Sequence, residues 1–266
     1  MNKRLTALIL ITASLLCSCG SSESSSEHEY FSSKRALESS SRSDSSSSSG
    51  NESSTNDTAQ KVWAGFDEVF PTLEESSRSA KNYAHNKEVW ERIGIQGTLI
   101  EQGQDTEPVN ELYLGNYKFG YNGCEVIACY NMLTLLGQQV DMARLITEFE
   151  NNILIAQDGS LGSDPRKIYM LLDYMGISYE KPSTLAECDE ALKNGRSLIF
   201  SFYTGTPYFS GIHTVCITTD TSGDKYVLNR YNTIDSRSMI DSVSDLTDNE
   251  KCLIAAYAVE TKEGLI

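Results

Sequence analysis

The sequence predicts an α+β domain: a block of helices followed by an antiparallel sheet. Three observations predict it. Apolar residues recur at helical spacing through the middle of the chain, short β-branched and aromatic runs gather after Gly195, and two of those runs flank the turn "TSGD". Helices first and strands after is not the order of an alternating parallel sheet.

Each element has its own signal. Tyr83, Val89, Trp90 and Ile93 form an apolar stripe that predicts a helix over Ser79 to Ile93, with His85 in a surface or packing role. After Gly123, residues Val126, Ile127, Ala128, Tyr130, Leu133, Leu135 and Leu136 place apolar side chains around most of a helix that stops at Gly137. A helix apolar all round is a buried one. Asp141 reads as the N-cap of an amphipathic helix "MARLITEFE", and Asp164 with Pro165 opens a third helix running through Met175 to Gly176. Thr184 and Glu187 read as a capping box, and Gly195 closes that short helix. The segments "RSLIFSFY", "HTVCITTD", "KYVLNRYN" and "CLIAAYAVE" have strand composition, the middle pair forming a hairpin.

The 266 residues divide into four expected parts: 1–19, 20–60, 61–110 and 111–266. The first has a basic start at Lys3 and Arg4, an apolar run from Leu5 to Leu16 and a small-residue end, the pattern of an export signal. The run is too short for a permanent bilayer span. Its end, "LCSCG", resembles the lipobox of bacterial lipoproteins, which implies acylation at Cys19, loss of Cys17 with the signal, and an exported chain held on the outer side of the cell membrane by lipid. From residue 20 to about 60 serine dominates, and so little apolar surface predicts a solvated tether. Residues 61–110 read as an extension that covers one side of the head.

A net charge of -15 argues against a nucleic-acid partner, because such a surface repels phosphate backbones. The Gly-rich nucleotide loops are absent, so no nucleotide cofactor is expected. Cys124, Cys129, Cys188, Cys216 and Cys252 show no C-x-x-C pair and no adjacent histidine, which argues against a zinc site. Their odd number leaves at least one thiol unpaired.

One of these cysteines stands apart. Cys124 follows an Asn-Gly turn and opens the buried helix, where unpaired N–H groups and the helix dipole favour an anion and predict a depressed thiol pKa. Glu125 reads as a helix-start acid favoured by the same dipole. A thiolate nucleophile needs a proton shuttle, and His213, at the start of a strand shared with Val215 and Ile217, is the candidate. Cys216 has the opposite parity and faces away from it. A third residue must orient the ring, and Asn229 falls on the partner strand of the hairpin, with Asn232 and Asp235 as alternatives.

These residues resemble a family. "NGCEVIACYNMLTLLG" is similar to the nucleophile helix of papain-like cysteine peptidases of the bacteriocin-leader-processing kind, and "GSLGSDPRKIYMLLDYMGISYE", "LKNGRSLIFSF", "GIHTVCIT" and "YVLN" continue the resemblance in the family's order. It covers about residues 113–260. It implies a papain-like fold, a Cys124–His213–Asn229 triad working through an acyl-enzyme on a peptide or protein substrate, and no metal or organic cofactor. The family's oxyanion glutamine, about six residues before the cysteine, is replaced by Lys118, with Asn122 or Asn116 as substitutes. Two further expectations remain: an amidase acting on cell-wall peptides, and a catalytically silent peptide-binding lipoprotein of the same fold.

Overall fold

The computed structural model describes residues 77–151, 155, 157–204, 211–231, 234 and 236–261. The export signal, Cys19 and the serine tract lie outside the described residues, as do Asn232 and Asp235.

The first helix, α1 (Arg78–Ile93), starts where the Ser77 hydroxyl accepts from the Ala80 N–H at 3.1 Å and ends at Gly94, whose left-handed φ of 68° closes it. It is part of the head's own core. Val89 and Trp90 are buried with Ile100 and Val109 among the residues of the later helices, and the Trp90 ring meets Tyr130 edge-on at 5.3 Å. Asn86 brackets Tyr113 from both sides, donating to its carbonyl and accepting from its N–H at 2.8 Å each. That pins a small hairpin, β1 (Tyr113–Leu114) and β2 (Tyr117–Lys118), which has no clear pattern in the sequence because each strand is two residues long.

A one-turn helix, α2 (Phe119–Asn122), leads into α3 (Cys124–Leu135), in which every residue after Cys124 is buried. Asn131, midway along it, holds the incoming chain by accepting from the Ile100 N–H and donating to the Ile100 carbonyl, both at 2.8 Å. The expected cap of α4 (Met142–Asn151) is present, Asp141 Oδ1 accepting from the Ala143 N–H at 2.9 Å. The expected third helix is split. Asp164 caps a 3-10 turn, Pro165–Lys167, and α5 (Ile168–Tyr174) follows. Thr184 caps α6 (Leu185–Lys193), its hydroxyl accepting from the Glu187 N–H at 3.1 Å, while the Glu187 carboxylate accepts chiefly from the N–H and hydroxyl of Ser183 and also draws on the Thr184 main chain.

The sheet comprises β3 (Arg196–Thr204), β4 (Gly211–Thr219), β5 (Lys225–Leu228), β6 (Ser238–Ile240) and β7 (Leu253–Glu260), all antiparallel, in the order β6-β5-β4-β3-β7. The fold is therefore mixed α+β. Side-chain alternation divides the core into two layers. Ile199, Cys216, Leu228 and Tyr257 face α3 and α4, whereas Leu198, Phe200, Val215, Ile217 and Ala256 face α6. The hairpin forms in the register Cys216↔Leu228, but β5 ends at Leu228, one residue short of Asn229.

Candidate functional site

The break between α2 and α3 sets the position of Cys124. Gly123 packs so closely on the Phe119 ring that an added Cβ would lie 2.5 Å from it, so the bend requires glycine. Beyond the bend the Cys124 thiol, partly exposed, is approached by the N–H groups of Cys124 and Glu125 and by the main chain and hydroxyl of Thr214 on β4. Those donors favour the thiolate. Burial outweighs them and pushes the thiol above its ordinary range, correcting the expectation that the helix mouth alone would depress it.

His213 precedes Thr214 on the same strand and is 93% buried, with 7% of its surface exposed. It pairs with Phe202, whose ring it meets edge-on at 6.0 Å, so it shares the sheet face of Phe200 and Val215. Thr214 takes the opposite face, where its hydroxyl lies 2.9 Å from that of Ser201. Helix α3 packs on this second face, the one that carries Cys216. The strand thus presents Thr214 to the thiol, and among the described residues no hydrogen bond joins Cys124 to His213. Parity correctly separates Cys216 from His213, and it also separates His213 from the face on which the helix lies.

The imidazole has a defined partner. Its Nε2 lies 2.7 Å from the main-chain carbonyl of Asn229, and a carbonyl only accepts, so Nε2 carries the proton and Nδ1 keeps its lone pair in the neutral ring. Burial lowers the ring's pKa, opposed by the carbonyls of Asn229 and Arg230.

Asn229 holds the ring through its backbone, and this corrects the expected role of its carboxamide. The residue turns to a left-handed φ of 60° immediately after β5. Its carboxamide leaves the hairpin and accepts from the Gln104 N–H at 2.9 Å through Oδ1. The fully buried Asn229 N–H donates to the Glu101 carbonyl at 3.1 Å, so the end of β5 is sewn to the segment entering the core.

Asn122 is also corrected. Its Nδ2 donates to the carbonyls of Leu114 and Gly159, both at 2.9 Å, so neither amide proton is free for an oxyanion. The group left unpartnered is Oδ1, an acceptor of the wrong polarity. Asn116 and Lys118 are exposed on the β1–β2 hairpin.

Two buried residues gain importance that the sequence did not signal. Gln104 links the site's two halves, its N–H bonding Asn229 and its Nε2 donating to the Gly120 carbonyl at 3.0 Å. Glu125, read as a helix-start acid favoured by the dipole, is 2% exposed, and burial raises its carboxyl well above the ordinary range. All five cysteines of the described residues are free. Among the same residues, no cluster of three or more His, Cys, Asp or Glu is arranged to hold a metal ion, and no helix is long and apolar enough to cross a membrane.

No protein-family model matches the chain, and no curated protein matches it.

Proposed function

We propose that the chain is a papain-like cysteine peptidase, exported and lipid-anchored through Cys19, with Cys124 as nucleophile and His213 as base. The observation that carries this reading is the state of the His213 ring: Nε2 is committed to the Asn229 carbonyl, which leaves the Nδ1 lone pair as the base, and the next residue, Thr214, borders the thiol. In this scheme Nδ1 takes the thiol proton by way of a bridging water, since thiol and imidazole share no direct hydrogen bond, as sulfur attacks a peptide carbonyl. The N–H groups at the start of α3 stabilise the oxyanion. The imidazolium returns the proton to the leaving amine, and water hydrolyses the thioester. Because burial favours both the neutral thiol and the neutral imidazole, proton transfer accompanies attack instead of preceding it. Asn229 orients the ring through its main chain.

A second reading, a silent peptide-binding module of the same fold, is favoured by two specific observations. Thiol and imidazole share no hydrogen bond, and both donors of Asn122 are spent.

The test is product formation. The purified chain and its Cys124→Ala variant are incubated with a mixed peptide library and with purified cell-wall sacculi, and new termini are read by mass spectrometry. Cleavage of linear peptides that disappears in the variant supports the peptidase. Release confined to wall peptides assigns the amidase, and identical products from both proteins leave the binding module.

A further inference from the structure

Half of the large apolar side chains left exposed among the described residues gather beside the candidate nucleophile. They are Tyr117, 38% exposed, and Tyr121 and Leu161, 64% each. Tyr117 lies on β2 and Tyr121 on α2, three residues before Cys124, and their rings stack with centroids 5.2 Å apart and planes 28° from parallel. The Tyr121 hydroxyl donates to the Ser160 carbonyl at 3.1 Å, which brings the next residue, Leu161, to the same place. The loop that carries Leu161 is fixed on both sides. The Gly159 carbonyl accepts from Asn122 Nδ2 at 2.9 Å, and the Asp158 carbonyl accepts from the Asn116 N–H at 2.9 Å, while the Asp158 carboxylate pairs with Arg78 at 2.8 Å. Beyond Leu161, Gly162 returns to Asn122, where an added Cβ would lie 4.0 Å from the carbonyl oxygen. Leu161 is thus bracketed by Ser160 and Gly162, which meet the two residues ahead of Gly123.

Rings held in one orientation on pinned elements make a surface that binds without first having to be ordered. Its apolar area stabilises nothing until another apolar group covers it. We infer that Tyr117, Tyr121 and Leu161 form a subsite for one large apolar side chain, aromatic or leucine-like, of a peptide lying over Cys124. This rests on the reading that a peptide reaches that thiol, and it adds which peptide. Continuity with the candidate site selects the occupant. The three residues of chain from Tyr121 to Cys124 span at most about 11 Å, a distance that an extended peptide with its carbonyl at the sulfur covers in about three residues. A second copy of the chain is the rival occupant, but three partly covered side chains fall far short of the roughly 800 Å² per partner that a stable dimer buries.

The test reads binding apart from turnover. A random peptide library is selected on the chain carrying Cys124→Ala, bound peptides are sequenced, and the tightest is labelled and titrated beside a version with its apolar residue changed to serine. The titrations are repeated with Tyr121→Ser or Leu161→Ser added, both at exposed positions. Bound peptides are expected to carry Phe, Tyr, Trp, Leu or Met at one position. Each added substitution weakens the apolar peptide by about two- to tenfold, the range of one aromatic contact, and leaves the serine peptide unchanged. Absence of binding, absence of that enrichment, or equal weakening of both peptides overturns the inference. So does self-association of the wild-type chain in sedimentation that Leu161→Ser abolishes, if no apolar enrichment accompanies it. Should Tyr121→Ser fail to fold, Leu161→Ser and Tyr117→Ser decide. Apolar selection without any cleavage by the wild-type chain removes the peptidase and leaves the subsite, whereas cleavage without apolar preference removes the subsite and leaves the peptidase.

Discussion

His213 Nε2 and the Asn229 carbonyl oxygen lie 2.7 Å apart, while the Asn229 carboxamide is turned away to Gln104. The ring is therefore held by a main-chain atom that no side-chain substitution removes.

A specific outcome follows for Asn229. Asn229→Gly keeps the carbonyl and suits the left-handed φ of 60°, so the reactivity of Cys124 stays within about twofold of wild type, far from the 10²–10⁴-fold that proton transfer supplies. Stability falls by about 1–3 kcal/mol, because the buried Gln104 N–H loses its acceptor. Paired alkylation kinetics and urea denaturation check both halves, and a hundredfold loss of reactivity in a folded Asn229→Gly protein would return the role to the carboxamide.

Stability should depend on pH with two opposed slopes. The pKa of His213 is lowered from its ordinary value of 6.5, so its contribution is complete above that value and is lost as pH falls through the folded value. The pKa of Glu125 is raised, so its contribution is complete below 4.5 and is lost as pH rises through the folded value. Denaturant midpoints measured across pH 4 to 8 should lose the first slope in His213→Gln and the second in Glu125→Gln.

Trp90 tests whether the segment before residue 111 belongs to the head. It is 1% exposed and packs edge-on against Tyr130 of α3. Trp90→Ala should cost about 3–5 kcal/mol in chemical denaturation, with one transition retained. A loss below about 1 kcal/mol would mean that α1 is an appendage.

Asn122 ties β1 and the loop at Gly159 to the turn before Cys124. Replacing it with alanine leaves both carbonyls short of a donor, so thermal stability drops by about 1–3 kcal/mol. An oxyanion donor would act differently: its loss lowers kcat by 10²–10³ with stability unchanged. Measuring melting temperature and turnover on the same preparation separates the two roles.

Much of the fold was legible because its signals are local. The periodicity after Gly123 marked α3, Asp141 and Asp164 marked their caps, and the TSGD turn marked the β4–β5 hairpin. The β1–β2 hairpin was not legible, since two-residue strands held by Asn86 from a distant helix leave no period to read. In the site, the positions of Cys124 and His213 on their elements follow from pattern, but their surroundings do not. Parity separated Cys216 from His213 without revealing which sheet face α3 covers, a fact of tertiary packing. The assignment of Asn229 read "KYVLNRYN" as strand to its end, four residues past Leu228 where β5 stops, so a backbone turn decided what a side-chain argument had to guess. Glu125 illustrates the same limit: the dipole explains an acid at a helix start, but its burial is a fact of tertiary packing.

The central claim is that His213 activates Cys124. Its most direct measurement is the rate of iodoacetamide alkylation at Cys124, mapped by peptide mass, in the wild-type chain and in His213→Ala at neutral pH. The account predicts that Cys124 reacts ahead of Cys129, Cys188, Cys216 and Cys252, and that the variant slows it at least about tenfold while the protein stays folded. Equal rates in the two proteins would contradict it.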